Sequence, residues 1–69
     1  MDLGLKIKIK RLEEGKTQVQ LREEAHVGIN VITAIERGQI DNLTVKTLKK
    51  LAAALNTTVA ELFFSEDDK

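Results

Sequence analysis

Apolar residues recur along this chain at a helical rather than a strand period, and polar caps punctuate them into five segments. The first runs from about Asp2 to Glu14, with an acidic residue at its start and Gly15 placed to take a left-handed stop conformation. Thr17-x-x-Gln20 has the form of a capping box and opens a second helix that runs to about Ala25. His26, Val27 and Gly28 make a short connection. Gly28 serves as N-cap of a third helix that reaches roughly Arg37 and is stopped by Gly38. After a polar loop through Asp41 and Asn42, Thr44 caps a fourth helix in which Val45, Leu48, Leu51, Ala52 and Leu55 fall at helical spacing, and Asn56 ends it. Thr58-x-x-Glu61 is a second capping box, opening a short fifth helix through Val59, Leu62 and Phe63. The expected fold is all-α, five helices with no internal repeat.

The first helix has two apolar faces. Leu3 and Ile7 share one side with Lys10, Arg11 and Glu14, while Leu5, Ile9 and Leu12 form a stripe on the other. Only one side can meet the core. The second choice buries more apolar surface, so periodicity leaves the question open, and whichever stripe is left outside is available to a partner.

Composition narrows the class. A chain of 69 residues forms one domain with a small core and a thin margin of stability. It has no Cys, no Pro and one His, so neither disulfides nor a metal cluster is expected to staple it. Many Leu, Ile, Ala, Lys and Glu with only two Phe as aromatics favour helices. No apolar run approaches the roughly 20 residues that cross a bilayer, and the first residues lack the apolar core of a signal peptide, so a cytoplasmic location is expected.

Charge does not decide function. The formal net charge is zero, but Lys6, Lys8, Lys10, Arg11 and Lys16 crowd the first stretch, while Glu66, Asp67 and Asp68 make residues 65–69 an acidic tail. Nothing nucleophilic is paired with a base: the single His stands in a turn, Ser65 lies in the tail, and no Gly-rich phosphate loop occurs. No enzyme activity and no cofactor are expected.

The segment Thr17 to Gly38 resembles the helix-turn-helix of the lambdoid phage repressor and Cro (Xre-like) family. Leu21, Ala25, Val27, Ile32 and Ile35 stand where that motif packs its two helices, and Ile-Glu-Arg-Gly at 35–38 looks like the family's third-helix ending. The likeness continues through Asn42-Leu43-Thr44-Val45 and Leu51 to Leu55, as far as Glu61-Leu62. It implies that residues 1–64 form a DNA-binding domain acting as a transcriptional regulator. It also selects the Leu3/Ile7 face for the core and places Arg11 where the family pairs an Arg with the Glu matched by Glu36. Two residues depart from the pattern: Arg22 replaces a small residue, and His26 replaces the turn Gly, a position where His tolerates positive φ better than most.

An α-helix fits the major groove of DNA, and the residues near its start meet base edges while the preceding helix lies across the backbone. With Val31, Ile32 and Ile35 read as the inward stripe, Ile29, Asn30, Thr33 and Ala34 face outward, and the resemblance makes them the base readers. Asn30 suits adenine, Thr33 can exchange one hydrogen bond, and Ile29 and Ala34 suit thymine methyls. Lys16, Gln18, Gly28, Asn42, Thr44 and Lys46 are the expected backbone contacts.

One such unit touches too few base pairs to single out an operator, so a homodimer on a palindromic site is expected. Leu62, Phe63 and Phe64 are consecutive, and a helix cannot hide all three within one monomer, which makes them the expected dimer interface. Double-stranded DNA and a second copy are the expected partners, with no membrane and no small-molecule ligand. The other reading is a protein-interaction adaptor or antitoxin-type regulator on the same fold.

Overall fold

The computed structural model describes residues 2–41 and 43–64, and the acidic tail and Asn42 lie outside them. Five helices follow in order: α1 (Leu3–Glu13), α2 (Gln18–Ala25), α3 (Ile29–Glu36), α4 (Val45–Ala54) and α5 (Val59–Phe63). Each boundary has a local cause. Asp2 Oδ1 accepts from the Leu5 amide at 2.9 Å to start α1, and Gly15 beyond its end takes φ +70°. The Thr17 box closes in both directions: its hydroxyl accepts from the Gln20 amide at 3.0 Å, and the Gln20 side chain accepts from the Thr17 amide at 2.8 Å. The second box closes in one direction only. Thr58 accepts from the Glu61 amide at 3.0 Å, but its hydroxyl then donates to the Glu61 carboxylate instead of the carboxylate reaching back to the backbone. Asn56, at φ 56°, ends α4 in the left-handed conformation that Asn tolerates.

The core consists of Ile7, Leu21, Ala25, Val27, Ile32, Ile35, Leu48, Leu51, Ala52, Leu55 and Leu62, with Leu3, Leu43, Ala54 and Val59 packed on its margin. Every helix contributes. α2 packs on both α3 and α4, while α1 bridges α3 and α5. Ile7 is fully buried and Leu3 is in the margin, so α1 turns its Leu3/Ile7 face inward and leaves Leu5 and Leu12 exposed. Gly4 enforces that choice. A Cβ on Gly4 would stand 2.0 Å from the Ile35 carbonyl oxygen, so α1 lies against the end of α3 closer than any side chain permits.

Val45 corrects the sequence expectation. It falls at helical spacing but is 66% exposed, because the buried arc of α4 is set by Leu48, Leu51, Ala52 and Leu55 and the first turn overhangs it.

Candidate nucleic-acid interface

The α2–α3 connection depends on one backbone angle. His26 ends α2 at φ 57° and ψ 43°, the left-handed region, and its own amide donates to the Arg22 carbonyl at 2.9 Å. Val27 then drops into the core, and Gly28 starts α3 with no side-chain cap, which leaves that helix's first amides open to an outside acceptor. Arg22 lies exposed on α2, with one guanidinium nitrogen 3.6 Å from Glu23, so it resolves the missing small residue by reaching solvent.

A polar knot ties three helices together. Arg11 on α1 donates from Nε to Glu36 at 2.8 Å and from a terminal nitrogen to the other carboxylate oxygen at 3.0 Å, while its remaining nitrogen donates to the Lys16 carbonyl at 2.8 Å. Gln18 on α2 adds a donor to Glu36 at 3.1 Å. Glu36 sits at the end of α3, with its side chain 4% exposed against 9% for Arg11. The fork geometry fixes the angle between α1, α2 and α3 as well as supplying energy.

On the outer face of α3, Asn30 is exposed and Ile29, Thr33 and Ala34 are half-buried. Thr33 donates its hydroxyl proton to the Ile29 carbonyl at 2.9 Å, so towards an outside group it is left as an acceptor. Val31 was expected inside and is instead 42% exposed, because Ile32 and Ile35 alone set the buried arc and Val31 falls on its flank. Asn30, Val31 and Ala34 border an open hollow whose other wall is Gln39, Asp41 and Leu43.

The expected backbone contacts divide. The Lys16 ammonium is held by Glu24 at 2.5 Å and by the Ala54 carbonyl, so it braces α2 against the end of α4 rather than standing free for phosphate. The Thr44 hydroxyl accepts from the Thr47 amide and donates to the Thr47 hydroxyl, both at 3.1 Å, and is likewise consumed in capping. Gln18 commits its side-chain amide to Glu36 but begins α2, where the first-turn amides point out of the helix. Lys46 is exposed on the first turn of α4.

A helix-turn-helix family model matches residues 7–62, which is most of the chain, from within α1 to within α5. The chain belongs to the repressor/Cro-type (Xre-like) helix-turn-helix family. Its members are DNA-binding regulators of transcription. Among solved structures, one chain of a SinR protein/SinI protein complex superposes with a TM-score of 0.87 at 30% sequence identity. The alignment covers 97% of this chain and 65% of that one, so this chain spans less than two thirds of its structural neighbour. The search of curated proteins returns no match.

In this helix-turn-helix the electrostatics of the knot are one-sided. Burial works to raise the Glu36 carboxyl, but the hydrogen bonds from Arg11 and Gln18 and the charges of Arg11 and Lys8 outweigh it and hold the group below the usual carboxylate range. A carboxyl depressed in the fold contributes stability at pH values above its unfolded pKa of about 4.3, and that contribution is lost as pH falls through the folded value. Acidification from pH 5 towards pH 3 should therefore lower the melting temperature of the wild type. Glu36→Gln should show a flatter acid limb, and an acid limb of unchanged slope would place the titration elsewhere.

The residues expected at a dimer interface separate as well. Leu62 is 4% exposed and belongs to the core of the single chain. Phe63 and Phe64 are 47% and 80% exposed, because a helix buries one arc and Leu62 occupies it. The Phe63 carbonyl accepts from the Lys6 ammonium at 3.2 Å, which ties the end of α5 to α1. Among the described residues no helix is long and apolar enough to cross a membrane.

Proposed function

We propose that this regulator binds a palindromic operator as a homodimer, with α3 in the major groove and Asn30 as its principal base reader. The observation that carries this reading is the exposure of Asn30 on the outer face of α3, with Ile29, Thr33 and Ala34 beside it and the helix angle locked by Arg11, Glu36 and Gln18. A side-chain amide can pair in bidentate fashion with adenine, while Ile29 and Ala34, joined by Val31, offer apolar contact to thymine methyls. Backbone contacts fall to the first amides of α3 after Gly28 and to those of Gln18 and Val19 on α2, which the Thr17 box leaves uncapped, with Lys46 as the cationic member.

Selection of bound duplexes from random DNA, followed by footprinting, tests the reading directly. On the selected site, Asn30→Ala should weaken specific binding by about 1–3 kcal/mol and relax preference at one base position while leaving random DNA almost unaffected. Equal losses on both DNAs would remove Asn30 from the reading set.

The homodimer rests on Phe63 and Phe64. Burying both against a twofold copy removes exposed aromatic surface and sets two recognition helices about 34 Å apart, one turn of DNA. Sedimentation over micromolar concentrations should show weaker association for Phe64→Ala than for the wild type. Unchanged association in both Phe63→Ala and Phe64→Ala would move the interface elsewhere, with the Leu5/Ile9/Leu12 stripe next, of which Leu5 and Leu12 are exposed and Ile9 is half-buried. That stripe also favours the second reading, an adaptor for another protein; the solved SinR protein/SinI protein complex is an assembly of two proteins with one chain of this fold.

A further inference from the structure

A net charge of zero hides an uneven supply of cations. Arg11 is spent on Glu36, Lys16 on Glu24, Lys10 on Glu14 and Arg22 on Glu23, and Lys6 holds the Phe63 carbonyl. Lys8 and Arg37 are exposed without a side-chain hydrogen bond or ion pair among the described residues, but α4 groups three such cations on one helix. Lys46, Lys49 and Lys50 make no hydrogen bond or ion pair among the described residues, and α4 carries no acidic residue from Val45 to Ala54.

Their place in the fold gives this row a direction. The hollow beside Asn30 is walled by Asp41 and Leu43, and the chain passes from there through Thr44 directly into α4. The lysine row therefore starts at the margin of the reading face. With a rise of about 1.5 Å per residue, Lys49 and Lys50 follow about 4.5 and 6 Å beyond Lys46, one turn along the same helix. The face they form is completed by Ala53, and the one large apolar residue exposed beside it is Val45 in the first turn, a small anchor for a protein interface. A protein interface draws its energy from larger anchors, whereas a row of solvated cations suits a polyanion.

We propose that the exposed Lys46/Lys49/Lys50 row of α4 is a second DNA-backbone surface, which grips phosphates flanking the bases read by α3. The inference rests on the operator-binding reading and extends it from the recognition helix to α4. It makes α4 the source of most of the salt-dependent affinity, while α3 supplies the base preference. It also accounts for DNA binding at zero net charge: Lys10, Arg11 and Arg22 of α1 and α2 are paired with acidic residues, while the three lysines of α4 are not.

The test uses the full chain, a selected duplex and a random duplex, with anisotropy titrations from 50 to 300 mM salt. Lys49→Gln/Lys50→Gln leaves helix propensity nearly unchanged, and circular dichroism confirms that the fold is kept. Each lost phosphate contact lowers the salt slope by about 0.9, so the double variant should lose between one and two units of slope. Its affinities for selected and random DNA should fall by the same factor. Extending the duplex by several flanking base pairs should tighten the wild type and not the variant. A slope and a length dependence equal to those of the wild type would overturn the α4 surface while leaving the reading of DNA by α3 intact. If the wild type itself binds no selected duplex better than random DNA, operator binding fails first, and the α4 surface fails with it.

Discussion

Leu51→Ala should cost about 2–5 kcal/mol and leave the chain largely unfolded near 37 °C. Leu51 is fully buried on α4, the helix that packs on both α2 and α5, and no part of the core lies outside its reach through those neighbours. Removing its branched end takes away transfer free energy and also leaves a cavity that a helix pinned at both ends cannot collapse to fill. A domain of this size stands near the low end of the roughly 5–15 kcal/mol typical of folded proteins, so a loss of that order uses up most of its margin. Each kcal/mol moves the melting temperature by about 4–8 °C in a domain of this length, which makes the shift easy to read by circular dichroism. Val45→Ala, on the same helix but 66% exposed, should stay within about 0.5 kcal/mol of the wild type. If the Leu51 variant melts within a few degrees of the wild type, the assignment of this face to the core is wrong.

The parts of the fold that could be read from the chain are those whose causes are local. Thr17 with Gln20, Thr44, Thr58, Gly15, Gly38 and the left-handed His26 each act within a turn of backbone, so helix number and order follow from the letters alone. Choices that depend on a distant neighbour were harder. Maximal burial favours the Leu5/Ile9/Leu12 stripe of α1, yet Gly4 and Arg11 reverse it: one permits backbone contact with α3, and the other must reach Glu36. A glycine inside a helix costs about 0.5–1 kcal/mol relative to alanine, and that cost was the available signal for the close approach. Val31 and Val45 show the opposite error, in which an apolar residue at helical spacing is taken as inward although it lies on the edge of the buried arc. At the candidate interface the outward position of Asn30 followed from periodicity. The capture of Lys16 by Glu24 and Ala54 did not, because it joins elements far apart in sequence.

Arg11→Met should destabilise the domain by about 3 kcal/mol at neutral pH, with a dependence on acid that no simple packing defect would share. The guanidinium donates to both carboxylate oxygens of Glu36 and to the Lys16 carbonyl, so its removal strands a nearly buried carboxylate. Breaking a buried pair by deleting one partner costs about 3–5 kcal/mol. The lower end applies here because Gln18 still donates to Glu36. Burial, already the largest influence on Glu36, would then be opposed only by Gln18 and Lys8, so the carboxyl moves up from its wild-type value. The depressed carboxyl of the wild type favours the fold above the unfolded pKa of about 4.3, and a less depressed one gives up less of that stability on acidification. The two stability curves should therefore converge as pH falls from 6 towards 3. Arg11→Met/Glu36→Met removes the stranded charge and should recover part of the loss at neutral pH. Because α3 is held to α1 and α2 through this knot, Arg11→Met should also weaken operator binding more than the unfolded fraction explains. A deficit that stays constant from pH 6 to pH 3, with no recovery in the double variant, would mean that Arg11 contributes only its hydrocarbon stem.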